Sequence, residues 1–292
     1  MTSLTHFNVT IFGIHLKLNR IAFSVAGIDV YWYGIIIAFG FLLAIIYAWR
    51  NAKRFSIDVD RMADVILVSA PLAILGARAY YLLFYNKSLA GFFRFKDGGL
   101  AIYGGVIMAF LSGIVMCKLR KVNVRDMFDL ASIGLLIGQS IGRWGNFFNQ
   151  EAFGSATGSS WFGMTSENVE AELGAGALAH PCFLYESIWC AIGILLLHKL
   201  SKNRKFKGQV FLGYGMWYGL GRAIIEGFRT DSLYLGTMRV SQVVSIVAFV
   251  VCTVLSIVLI KKSKKSVAEN QTEYRSQFET DGETEEENND NN

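Results

Sequence analysis

Apolar residues gather into seven runs: Tyr31–Trp49, Met62–Phe84, Ala101–Cys117, Met127–Gly142, Phe183–Leu200, Gly208–Gly221 and Val240–Ile260. A helix needs roughly 20 apolar residues to cross a bilayer, with a range of about 17–25. The fourth and sixth runs reach that length only with their flanks, yet the charges between runs require both. Counted in alternate segments, 17 bases fall on one side, among them Arg50, Lys121, Arg204 and Lys261, and nine on the other, among them Lys17, Lys87, Arg94, Lys96 and Arg239. Lysine and arginine collect in cytoplasmic loops, so the N-terminus is expected outside and the C-terminus in the cytoplasm. Removing either short run breaks the alternation. The pattern thus predicts an all-α, polytopic membrane protein with seven transmembrane helices.

Three parts follow. Residues 1–30 are mixed and lack the pattern of a signal peptide; they are expected outside, along the membrane surface. Residues 31–262 form the seven-helix transmembrane body. Residues 263–292 are expected to be a disordered acidic cytoplasmic tail, with few large aliphatics.

Composition agrees. Of 292 residues, 53% are hydrophobic and 17% charged, too apolar for an ordinary soluble domain. The formal net charge of +5 hides an asymmetry, because residues 267–292 hold nine acids and one base and leave the body at about +13. Basic cytoplasmic loops account for that charge, and no nucleic-acid partner is needed. The four cysteines show neither metal-ligand spacing nor a disulfide framework.

The stretch Ile141–Gly154, IGRWGNFFNQEAFG, ends the fourth run with an arginine, two asparagines, a glutamate and three glycines. Under the predicted topology, polar groups from separate runs meet at outer-leaflet depth. Tyr33 opens the first run, Arg78 lies near the outer end of the second, and Tyr103 opens the third beside the pairs Gly98-Gly99 and Gly104-Gly105. Arg143, Asn146, Glu151 and Gly154 close the fourth, His180 precedes the fifth, and Tyr218, Arg222 and Glu226 close the sixth. Each has a plainer alternative. Arginines snorkel as interfacial anchors, tyrosines form aromatic belts, and Glu151 and Glu226 could simply pair with arginines. Several arginines at one depth favour a bound anion, because guanidinium forks fit phosphate and carboxylate. Among apolar helices that anion suggests a phospholipid head group.

The run Arg143-Trp144-Gly145-Asn146-Phe147-Phe148-Asn149-Gln150-Glu151-Ala152-Phe153-Gly154 resembles the motif of the bacterial phosphatidylglycerol–prolipoprotein diacylglyceryl transferases. Other matches span nearly the whole membrane body: Tyr33-Gly34, Gly76-Ala77-Arg78, Gly98 to Gly105, His180-Pro181 with Leu184-Tyr185-Glu186, and Tyr218 to Arg222 with Glu226 and Arg229. The resemblance implies a bacterial cell-membrane enzyme whose site faces outward. It implies transfer of a diacylglyceryl group from phosphatidylglycerol to the lipobox cysteine of a prolipoprotein signal peptide. A thioether forms, glycerol 1-phosphate leaves, and no cofactor or metal is implied.

Such chemistry needs a thiolate, whose parent thiol has a free pKa of about 8.5. It also needs cations where charge grows on the leaving phosphate. Arg143 and Arg222 suit that task. Tyr33, Asn146, Tyr218 and Arg78 are candidates for holding the head group, and Gly154 for leaving room. Glu151 and Glu226 either hold the arginines or take a proton. Many family members carry histidine, regarded as a general base, where this chain has Tyr103. A phenol with an ordinary pKa of about 10 is a poor base at neutral pH, so Tyr103 is expected to hydrogen-bond the substrate instead. The rival reading is a non-catalytic seven-helix phospholipid-binding protein or transporter, which internal inverted repeats would favour; none is visible. No HExxH or clustered aspartates point to another membrane enzyme.

Overall fold

The computed structural model describes residues 6–84, 92–93, 99–230, 234–235 and 238–289, with side chains up to Lys264 in the last helix. Lys87, Arg94, Lys96 and Gly98, named above, lie outside these residues. Each of the seven apolar runs, apart from the first residues Tyr31, Ala101 and Gly208 of three of them, lies in a helix: α1 (Trp32–Asn51), α2 (Val59–Phe84), α3 (Ile102–Leu119), α4 (Val124–Asn149), α6 (Cys182–Lys202), α7 (Gln209–Ile225) and α8 (Val240–Asn289). Helix α5 (Glu167–Leu173) is short and lies in the α4–α6 connection. Five of the helical stretches are long and apolar enough to cross a membrane: Trp32–Phe55, Val59–Phe84, Ile102–Leu119, Cys182–Lys202 and Val240–Lys264. Helix α4, which carries Arg125, Asp126, Asp129 and Arg143, and α7, 17 residues long, are not among them. The chain is therefore mostly helical and membrane-like in character.

The N-terminal segment, expected along the membrane surface, forms two β-hairpins, so the protein is not purely α-helical. Strands β1 (His6–Ile11) and β2 (Ile14–Asn19) pair antiparallel, as do β3 (Ile21–Val25) and β4 (Ile28–Tyr31). Phe12-Gly13 and Ala26-Gly27 make the turns with positive φ at both central residues, the backbone that suits the right-handed twist of a hairpin. In β1, Phe7 and Val9 are buried while His6 and Asn8 face out, the period of a strand with one covered face. Beyond Val267 the backbone of α8 runs on to Asn289. Glutamate and glutamine are strong helix formers.

Strand β5 (Met164–Thr165) adds to β1, giving a sheet ordered β2-β1-β5. This sheet and α5 cap one end of the helices. Phe7, Val9, Phe147, Phe153, Met164, Val169, Ala179 and Phe183 form a core under the cap. Glu167 ties α5 to the sheet. Its carboxylate accepts the Asn8 amide at 2.9 and 3.0 Å and the Asn8 side-chain amide at 2.7 Å. Partial burial alone would raise the Glu167 pKa, but the Asn8 hydrogen bonds outweigh it and hold the group below its ordinary 4.5. A depressed carboxylate pKa stabilises the fold above the unfolded value and loses that contribution as pH falls through the folded one. Amide exchange at Asn8 in the membrane-embedded protein is therefore expected to be slow at pH 7 and to speed up, beyond the intrinsic rate, only as pH falls below the ordinary carboxylate value of 4.5. Glu167→Gln should flatten that pH dependence.

Helix α4 is the centre of the bundle and packs against α1, α6 and α7, with α2 on α3 and α7 on α8 as tight pairs. Asn123 caps its start by accepting from the amides of Arg125 and Asp126. Between α2 and α3 the backbones meet at Gly76 and Gly104; a Cβ on Gly76 would lie 2.8 Å from the Gly104 carbonyl. Small residues at such a crossing allow close van der Waals packing in lipid. At the end away from the cap, Asp129 fixes the start of α7. It accepts from Gly208 N at 2.9 Å, Phe211 N at 2.8 Å and Arg204 at 2.9 Å. Asp126 pairs with Arg204 at 2.6 Å and Lys207 at 2.8 Å. The buried Asp129 carboxylate thus satisfies free amides at a helix N-terminus.

Candidate active site

The capped end is where α4 finishes, α6 begins and α7 finishes. Helix α4 stops because Gln150 takes left-handed backbone, φ 51°, and its amide turns back to the Asn146 and Phe147 carbonyls. Arg143 and Asn146 are therefore held on the last turns of a rigid helix, and Glu151 and Gly154 lie on the loop beyond it. Helices α6 and α7 are locked by a reciprocal tryptophan pair. Trp189 Nε1 donates to the Trp217 carbonyl and Trp217 Nε1 to the Trp189 carbonyl, both at 2.9 Å, with the rings stacked at 4.3 Å. Helices α4 and α6 are joined through Ser140 and Ser187, each hydroxyl donating to the other's backbone carbonyl at 2.9 and 2.8 Å. Trp144 Nε1 donates to the Ser187 hydroxyl at 3.1 Å.

Those locks set Glu186, on the first turns of α6, between the arginines of its neighbours. Its carboxylate pairs with Arg143 of α4, with Arg222 of α7 at 2.7 Å and with Arg229 at 3.3 Å. Arg222 also pairs with Glu226 at 2.6 Å, and Arg229 lies 4.0 Å from the same carboxylate. Arg239 donates to the Glu226 carbonyl. Glu186 and Glu226 are 4% and 1% exposed, so both are desolvated. Among the contacts described, three guanidiniums share two carboxylates. Arginine carries five N–H donors, so Arg143 and Arg222 keep donors beyond those used on the glutamates. A cleft beside them is lined by Glu186, Trp189, Cys190, Tyr218, Arg222 and Ile225, with Gly221 at its wall. Buried positive surplus beside a cleft is what an anionic ligand completes.

Tyr218 lies within electrostatic reach of Arg143, Glu186 and Arg222. Tyr33 packs at Gly145, two residues beyond Arg143, where any Cβ would meet its ring 2.7 Å away. Asn146 is buried on the same helix end.

Other expected members stand apart or act differently. Tyr103 is 50% exposed, and its described ring contact is with Tyr80 at 6.4 Å. The contacts described for Arg78 are with the carbonyls of Phe92 at 3.2 Å and Gly99 at 3.1 Å and the Tyr81 ring. Arg78 is buried, and it braces the chain that enters α3. Glu151 is exposed and accepts from Asn149 at 3.1 Å, while the carboxylate that meets Arg143 is Glu186. The space at Gly154 is filled by the protein itself. A Cβ there would meet His180 at 2.7 Å, the Phe228 carbonyl at 2.8 Å and Cys182 at 2.9 Å, so glycine allows three chain segments to touch. Its amide donates to the His180 carbonyl at 2.9 Å. His180 bonds the Tyr185 hydroxyl at 3.1 Å, and burial lowers its pKa, so it is a neutral part of this packing at pH 7.

Residues 20–258 match the model of the family described as prolipoprotein diacylglyceryl transferase. The chain belongs to that family. It is 39% identical over 256 residues to the phosphatidylglycerol–prolipoprotein diacylglyceryl transferase of Clostridioides difficile, covering 86% of this chain and 100% of the relative. It is 42% identical over 254 residues to the enzyme of that name from Finegoldia magna, covering 85% and 99%. With the Bacillus cereus enzyme it shares 40% over 258 residues, covering 84% and 93%. In this diacylglyceryl transferase the members of the cluster that sequence reasoning left out of the candidate site are Glu186 and Arg229. The signal for both was present, since Leu184-Tyr185-Glu186 and Arg229 are among the segments carrying the resemblance.

Proposed function

We propose that the protein transfers the diacylglyceryl group of phosphatidylglycerol to prolipoproteins at the cell membrane, using the arginine cluster around Glu186 as its phosphate clamp. The relatives' names supply donor, acceptor and reaction. The observation that carries the assignment of the site is Glu186 shared by three guanidiniums beside a cleft. The lipobox thiol, as thiolate, attacks the glycerol carbon next to phosphate. A carbon–sulfur bond forms, the carbon–oxygen bond breaks, and glycerol 1-phosphate leaves with the electron pair. Arg143 and Arg222 stabilise the charge that grows on that phosphate. Tyr33, Asn146 and Tyr218 flank the head group. Glu226 is occupied by Arg222 and holds it in place. Glu151, exposed and held only by Asn149 among the described contacts, is the carboxylate available to accept the thiol proton. Tyr103 serves as a hydrogen-bonding group at the margin. The charge alternation supports seven spans with the capped end and the clamp on the outer side.

Purified protein given labelled phosphatidylglycerol and a lipobox peptide is expected to release glycerol phosphate only when the peptide is present. In cells depleted of their own transferase it should restore lipid on a lipobox cysteine. Lipid binding without release, by protein shown to be inserted, would instead support the lipid-binding or transporter reading.

A further inference from the structure

Polar groups continue inward from the clamp along two facing helices. On α7, Tyr214, Tyr218 and Arg222 are spaced by four residues; on α4, Gln139 precedes Arg143 by four. Residues four apart stack on one helix face, and one turn is about 5.4 Å. Gln139 Nε2 donates to the Tyr214 hydroxyl oxygen at 3.0 Å. That leaves the Tyr214 O–H proton to donate elsewhere. The Tyr214 and Tyr218 rings stack almost parallel, 5.6 Å apart and 4° from coplanar. Both tyrosines are only partly buried. Tyr218 lines the cleft with Glu186 and Arg222, and its hydroxyl makes no hydrogen bond among the described residues.

A single glutamine–tyrosine bond between α4 and α7 would be ordinary interhelical glue. Glue does not call for a second, stacked tyrosine with an unused hydroxyl. Polar groups kept at membrane depth generally serve a ligand.

We propose that Tyr214 and Tyr218, with Gln139 holding Tyr214, form a subsite for the ester carbonyls of the donor lipid's glycerol backbone. The assignment rests on the transferase reading above, and it adds a second point of attachment. In a glycerophospholipid the ester carbonyls hang a few bonds inward of the phosphate, about the length of one helical turn. With phosphate on Arg143 and Arg222, those carbonyls reach the phenolic donors. A clamp on the phosphate alone lets the lipid swivel about it. A second hold one turn deeper fixes the carbon under attack in line with its leaving oxygen, as displacement requires.

The test compares two phosphatidylglycerols of equal chain length, one with ester-linked and one with ether-linked chains. The reaction breaks neither linkage, so both can release glycerol phosphate. The parent protein is expected to favour the ester lipid in kcat/KM by about three- to tenfold for each hydrogen bond made. Tyr214→Phe and Tyr218→Phe should each bring the ester-to-ether ratio toward one. Ratios unchanged in both variants, or both lipids slowed alike, would overturn the subsite and leave Tyr214 as glue. Lipid binding to the purified full-length chain, measured for both lipids by native mass spectrometry, reads the same subsite without turnover; equal binding would also overturn it. Absence of phosphate release from either lipid by the parent would sink the transferase reading instead.

Discussion

Replacing Arg143 by alanine is expected to lower kcat/KM for diacylglyceryl transfer by at least about a thousandfold, with the protein still inserted and folded. Losing one preorganised stabiliser of developing charge costs about a hundred- to a thousandfold in enzymes that use oxyanion holes. Arg143 should exceed that, because it is a full cation, largely buried beside Glu186, and its guanidinium fork matches phosphate oxygens in pairs. The fold should tolerate its loss better than the chemistry does. Glu186 keeps Arg222 at 2.7 Å and Arg229 at 3.3 Å when Arg143 is gone, so no buried carboxylate is stranded. Arg143→Lys should recover only a small part of the activity, since a point charge replaces a fork. Thermal unfolding in detergent separates the effects: a small shift beside a large kinetic loss is expected. Near-parental turnover by Arg143→Ala would remove the phosphate-clamp reading.

How much of this was legible in the sequence follows from the range of the forces involved. The helices were visible because lipid-facing segments must be apolar along their whole length, and each of the seven runs lies in a helix apart from the first residue of three of them. The end of α4 was visible because a run that stops at Arg143, Asn146 and Glu151 breaks the pattern of ordinary membrane anchors. The hairpins were harder. Phe7, Val9 and Ile11 alternate with polar residues, but Phe12-Gly13 and Ala26-Gly27 are weaker turn signals than Asn-Gly. Partnership across helices was not legible at all. Proximity along the chain favoured Glu151 for Arg143, whereas reciprocal locks through Ser140–Ser187 and Trp189–Trp217 deliver Glu186 instead. Gly154 was read as space for substrate, and that space holds His180, Phe228 and Cys182. Arg78 and Tyr103 were expected at the depth of the cluster, yet their described contacts lie around the α2–α3 pair.

Glu186→Gln provides the sharper test of how the cluster is organised, and it is expected to divide binding from turnover. The change is nearly isosteric and removes the negative charge on which Arg143, Arg222 and Arg229 converge. Removing one partner from a buried ion pair typically costs about 3–5 kcal/mol. The glutamine oxygen still accepts a hydrogen bond, so the lower end of that range is expected. With one negative charge fewer, the cleft becomes more positive, and KM for phosphatidylglycerol should stay level or fall. The arginines, however, lose the tether that aims them before the lipid arrives, so kcat should drop by about a hundredfold or more. A residue that merely supported the fold would reduce the amount of folded enzyme and leave KM, and the kcat of the folded fraction, unchanged. Glu186→Asp, which keeps the charge on a shorter stem, should regain part of kcat while restoring KM. If Glu186→Gln turned over at the parental rate, the arginines would have to be oriented by something other than the carboxylate they share.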